Sequence, residues 1–189
     1  MRNTAELRGE ILEAARAEFA QYGLAGARID RIARVAQASK ERLYAHFGDK
    51  ETLFREVVLA DTAEFVRSVT LRPDAVAEYV GDIYDLACRR PEHLRMIDWA
   101  RLENFNLGEP FLDGEHIPAQ AIAAIQAAQA GGYVDSTWEP FDLIVLLFAI
   151  GLAWVHMPHP DSVTNDPAVI AHRRASAVEA ATRIVATRA

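Results

Sequence analysis

Cysteine is almost absent from this chain of 189 residues: Cys88 stands alone. A single thiol excludes an internal disulfide and any zinc site built on cysteines, which suits a reducing cytoplasm. Long apolar runs are missing too. The longest, 143–155, is about 13 residues against the roughly 20 that span a bilayer, with Asp142 and His156 at its ends. A buried helix, and no membrane partner, is the expectation. The opening MRNTAELRGEIL scatters its charges and has no apolar core, unlike a signal peptide. Glycine, threonine and asparagine are sparse while alanine and leucine abound, so helix is favoured over sheet. Lysine occurs only at Lys40 and Lys50.

Motifs for several chemistries are also lacking. None of the six histidines has a glutamate three residues before it, as carboxylate-bridged metal oxidases require on facing helices. The zincin, phosphate-loop, nucleophile-elbow and dinucleotide patterns are absent. His156 and His159 flank Pro158, which breaks a helix between them, and no carboxylate follows at a fixed offset. No metal and no cofactor is expected.

What is present is 51% apolar and 25% charged, a folded globular composition. The net charge of −7 divides unevenly. Residues 1–55 hold 10 Lys and Arg against 8 Asp and Glu, whereas residues 56–189 hold 10 against 19. A short segment able to approach phosphate is attached to an acidic body that avoids it.

Ile11, Leu12, Ala15, Phe19 and Tyr22 share one helical face, predicting a first helix over about 5–22 with Gly23 as its stop. Ile29, Ile32, Ala33 and Ala36 mark a short second helix. A third runs from Lys40 to about Phe47, capped by Ser39, turned inward at Leu43 and Phe47, and ended by Gly48. Asp49 can cap a fourth, with Leu53, Phe54, Val57 and Val58 inward. Further helices are expected near 50–70, 75–89, 92–104, 117–131, 139–157 and 167–187, with loops at 104–115 and 157–166.

Two short helices joined by three or four residues make a helix-turn-helix. The run SKERLYAHFGDKE, residues 39–51, carries both lysines, each just after a helix-starting residue. A cation there opposes the backbone dipole, by roughly 0.3–1 kcal/mol when exposed. A DNA phosphate at the same place would meet lysine, free N–H groups and dipole together.

Residues 11–54 resemble the DNA-binding domain of the TetR-type transcriptional repressors. The likeness rests on Ile11, Ala15, Phe19 and Gly23, on Ile29, Ile32, Ala33 and Ala36, and on Ser39, Leu43, Tyr44, Phe47, Lys50, Glu51 and Leu53. It implies an all-α homodimer of about nine helices per subunit, with residues 1–49 binding DNA and residues 50–189 binding an effector and pairing the subunits. Three positions depart from the family pattern. Ala27 replaces a threonine that often caps the second helix, leaving Arg28 or Asp30 to compensate. Gln37 replaces the glycine of the turn, which implies a left-handed residue or a different turn. Glu41-Arg42 replaces a small pair and bears on which bases are read.

On this reading Lys40, Lys50 and Tyr44 address phosphate, as the matching tyrosine does in relatives. Arg42 and His46 address base edges, Arg42 because its fork suits guanine N7 and O6, and Arg28 and Ser39 add backbone contacts. Singly, each also fits a merely solvated side chain.

Tyr84, Met96, Trp99, Phe105 and Phe148 are the candidate lining of an aromatic effector pocket, although aromatics at helical spacing also suit plain core. The last helix has one stripe of Ala168, Ala171, Ala175 and Val178 and another of Ile170, Ala177, Ala181 and Ile184. It can face its own core and a second subunit at once, or be buried wholly within one. The implied function is a ligand-responsive regulator, a repressor of a near-palindromic operator, with the fourth helix as the lever between DNA and effector. The rival readings are a small helical enzyme of the carboxylate-bridged metal type and a helical dimer that has lost DNA binding.

Overall fold

The computed structural model describes residues 4–108, 111–112, 115–157 and 164–187. Among them nine helices follow in order: α1 (Thr4–Gly26), α2 (Ile29–Val35), α3 (Lys40–Phe47), α4 (Lys50–Ser68), α5 (Val76–Arg89), α6 (Pro91–Leu102), α7 (Ile117–Ala130), α8 (Pro140–Leu152) and α9 (Pro167–Val185). The fold is all-α. Where a loop is expected over 104–115, strands β1 (Phe111–Leu112) and β2 (Glu115–His116) form a small antiparallel hairpin, pairing Phe111 with His116 and Leu112 with Glu115. Among the described residues no helix is long and apolar enough to cross a membrane.

Helix starts follow the side chains. Pro91, Pro140 and Pro167 each open a helix, where their missing N–H costs nothing. Glu139 and Asp166 accept from the backbone of Asp142 and Ala168 to cap α8 and α9.

The end of α1 differs from expectation. Gly23 does not stop the helix; it kinks it, at φ 67 and ψ −176, and helical bonding resumes to Gly26. The reason lies on α6. Trp99 Nε1 donates to the Ala20 carbonyl at 3.4 Å, and the Glu103 carboxylate accepts from Ala25 N at 3.2 Å. Groups that the kink exposes are thus bonded again.

The chain divides into two compact units, residues 1–64 with 90–110, and residues 65–89 with 111–189. This grouping joins α6 to the N-terminal helices, across the boundary expected after residue 49. The first unit buries Ile11, Ala15, Phe19, Ile32, Leu43, Phe47, Leu53, Phe54 and Met96 together. Edge-to-face rings run through it, Phe19 to Phe54 at 5.0 Å and Phe54 to Phe105 at 5.2 Å. In the second unit α5 packs on α8 and α9, over a core that includes Val80, Leu143, Leu147, Ala177 and Ala181. Close approach needs glycine at two places: a Cβ on Gly151 would stand 2.6 Å from Ile83 Cγ2, and one on Gly81 would stand 2.7 Å from Arg174 Cζ. Arg174 on α9 bonds to Asp85 at 2.9 Å, Glu78 at 3.2 Å and Asp82 at 3.3 Å on α5.

Candidate nucleic-acid interface

The helix-turn-helix is built from α2, a turn and α3. Gln37 takes φ 49 in that turn, the left-handed conformation expected of a residue standing in for glycine. Ser39 Oγ accepts from Arg42 N at 3.3 Å, and Gly48, at φ 77, closes α3 with its N–H on the Tyr44 carbonyl at 2.8 Å. The Glu41 carboxyl is held below the usual range by its own backbone N–H and then by Ser39. Leu43 and Phe47 are buried, which fixes α3 on the core and leaves Lys40, Arg42 and Tyr44 exposed. His46 is half-buried with its ring 6.1 Å from that of Phe47, and the Arg28 side chain is exposed.

The second helix is capped from a distance. Arg28 occupies its N-cap position with no side-chain cap bond, so its side chain does not make up for the hydroxyl missing at Ala27, while Asp30 stands in the first turn, where the helix dipole favours a carboxylate. Glu18 of α1, buried, accepts from Arg28 N at 2.8 Å and from Arg31 Nε at 2.7 Å. Arg31 in turn lies over the Tyr22 ring at 4.2 Å. Nothing in the spacing of the first helix pointed to Glu18; the missing cap at Ala27 was the signal that another acceptor had to exist.

Both lysines have partners within the chain. Lys40 pairs with Asp30 of α2, whose hydrogen bond is the chief reason that the ammonium pKa is raised. Lys50 Nζ donates to the carbonyls of Ala27 at 3.3 Å and Ala25 at 3.4 Å. Asp49 Oδ1 accepts from Thr52 N at 2.6 Å, capping α4 as expected, and Thr52, through its side chain first and its backbone N–H second, lowers the Asp49 pKa.

The five candidate effector residues do not fall in one unit. Met96, Trp99 and Phe105 belong to the first, Tyr84 and Phe148 to the second. Met96 is fully buried in the first unit's core, Trp99 lies on Gly23, and Phe105 packs on Phe54 with the Arg55 guanidinium over its ring, 5.1 Å from the centroid. In the second unit the Tyr84 ring meets Trp154 at 5.5 Å, and Phe148 meets Phe65 at 5.6 Å. Burial pushes the Tyr84 hydroxyl up to about 12. Trp154 stands on the turn after α8, and nothing in the sequence spacing paired it with Tyr84. Among the described residues no group of three His, Cys, Asp or Glu stands together as a metal site; His159 lies outside them.

This geometry has known counterparts. Residues 11–57 match the bacterial regulatory proteins of the tetR family, and residues 75–183 match the tetracyclin repressor-like C-terminal domain. The chain belongs to the TetR family. It is 35% identical to the HTH-type transcriptional repressor SCO4008 of Streptomyces coelicolor over 144 residues, 76% of this chain and 75% of that one. Over 63 residues, 33% of this chain and 34% of the other, it is 40% identical to the HTH-type transcriptional repressor AcnR of Corynebacterium efficiens. The solved structure of SCO4942 from Streptomyces coelicolor superposes with a TM-score of 0.81 at 36% identity, covering 94% of this chain and 97% of that one. A TetR-family chain is a DNA-binding transcriptional regulator, and membership implies a regulator rather than an enzyme.

Proposed function

We propose that this TetR-family chain is a ligand-responsive repressor that grips a near-palindromic operator as a homodimer. The observation that carries the reading is α3 itself: an eight-residue helix anchored by Leu43 and Phe47 that turns Lys40, Arg42 and Tyr44 to solvent. So short a helix is unstable alone, and its placement on a packed core suits insertion into a major groove. Arg42 reads guanine and His46 a neighbouring base. Tyr44, Lys40, Arg28, Ser39 and the N–H groups at the α3 start hold phosphate. Lys50 contributes its remaining donor and holds the loop before α2.

Pairing through α8 and α9 is supported by exposed Phe141, Val145 and Leu146 on α8, beside exposed Ala168, Ala171 and Ala175 on α9. Ala177 and Ala181 of the second stripe are buried in the unit's own core, so the last helix is apolar on two sides. Two reading helices related by a two-fold axis address half-sites about 34–36 Å apart or a multiple of that. The effector is small and aromatic or apolar, taken up beside Tyr84, Phe148 and Trp154, while Met96, Trp99 and Phe105 serve packing. It acts by favouring a conformation in which the half-site spacing no longer fits.

The test is a salt titration of binding to DNA from upstream of the chain's own gene. Log affinity should fall linearly with log salt, by about 0.9 per phosphate contacted. Arg42→Ala should relax discrimination at one base pair by about five- to 150-fold. Absence of any specific complex would overturn the proposal.

A further inference from the structure

The pairing of Lys40 with Asp30 has no need of Asp30 as a helix-stabilising group alone. A carboxylate in the first turn of α2 is already favoured by the helix dipole. Here it also reaches the first residue of α3 and neutralises an ammonium that is otherwise misplaced at a helix start. The two side chains are 53% and 65% exposed, so the pair is solvated and breaks readily. Lys50, by contrast, is bonded to neutral carbonyls and keeps its full charge toward an anion. Arg42, on the same short helix as Lys40, is exposed.

We propose that Asp30 is a built-in stand-in for a DNA phosphate, occupying Lys40 in the free protein and holding operator affinity down. Resting on the DNA-binding reading above, it assigns to this residue a regulatory weight on that site. When a phosphate oxygen approaches Lys40 Nζ, Asp30 must give up the ammonium and then stands beside the phosphate as a like charge. The exchange swaps one anion for another at the lysine, and little net charge is neutralised. Lys40 therefore adds less to affinity, and less to salt dependence, than an unpaired lysine would.

The experiment measures operator affinity from about 50 to 200 mM salt for the full chain, Asp30→Asn, Lys40→Gln and the double variant, with helicity and thermal midpoint recorded for each. Asp30→Asn should tighten binding by about two- to fivefold per half-site, hence about four- to twenty-fivefold for a dimer on both. Its salt slope should steepen by up to about 0.9 per half-site. With Lys40 replaced by Gln, the asparagine should bring a clearly smaller gain, since coupled residues are not additive. Should Asn unsettle α2, Asp30→Ser carries the same test. Unchanged or weaker binding by the folded variant, or equal gains in both backgrounds, overturns the inference. A full chain that makes no specific complex overturns the DNA-binding reading instead, so the two failures are distinct.

Discussion

Replacing Gly23 by alanine should be among the most damaging single-methyl additions in the first unit, and two terms set the size. Gly23 sits at φ 67 and ψ −176, a region essentially reserved for glycine, and forcing another residue into it costs on the order of 1–3 kcal/mol. The new Cβ would also stand 2.7 Å from Glu103 Oε1 and 2.8 Å from Trp99 Cδ2 and Cε3. Glu103 is flexible and can swing aside, giving up its bonds to Ala25 N. The Trp99 ring is tethered to Ala20 and cannot withdraw as easily, so overpacking adds about 1–3 kcal/mol. The sum, about 2–6 kcal/mol, is a large part of the roughly 5–15 kcal/mol that holds a domain together. Gly9 is the internal control: helical, with nothing within 4 Å of a Cβ, so Gly9→Ala should stabilise by about 0.5–1 kcal/mol. Urea unfolding followed by circular dichroism, with Trp fluorescence alongside, measures both. A Gly23→Ala midpoint within about 1 kcal/mol of the parent, on the same scale, would refute the packing argument; so would equal losses at both glycines.

Two further substitutions probe other parts of the first unit. His93 is buried, and desolvation is the chief cause of its lowered pKa, with Arg90 and Arg16 acting in the same sense and Asp61 against them. The native state thus binds fewer protons than the unfolded chain once pH drops below about 6.5, so stability present above that pH is progressively lost toward the lower native pKa. Denaturation midpoints at stepped pH should fall on acidification, and His93→Gln should flatten that part of the profile; a profile unchanged by the substitution would contradict this. At Gln37, whose φ of 49 strains an L-residue, glycine should relieve more than its added chain entropy costs, raising stability by about 0.5–1 kcal/mol in the same unfolding assay.

Helix positions were legible to within a few residues where their ends are chemically marked, and less so at the unmarked end of α8, expected at 157 and found at Leu152. Gly48, Pro91, Pro140 and Pro167 stand where the backbone requires them, and inward stripes such as Leu43 with Phe47 repeat at helical spacing. The left-handed Gln37 is one of the two outcomes that its place in the turn implied. What escaped depends on partners far along the chain. The kink at Gly23 is held by Trp99 and Glu103, some 76 to 80 residues away. The α2 start is served by Glu18, from the far side of a turn, and Lys50 finds carbonyls that no periodicity announces. Met96, Trp99 and Phe105 were candidates for a pocket lining that suited plain core as well, because spacing along the chain does not say which neighbour covers a residue. In the structure that neighbour is the N-terminal unit, whose helices bury Met96 completely.

Lys50 reaches back from the first residue of α4 to carbonyls in the peptide stretch that enters α2. A staple at that point removes the slack a hinge would need. On the function proposed above, with α4 as the lever, that tie would carry a torque at the leading end of α4 into the helix-turn-helix as a displacement of the block.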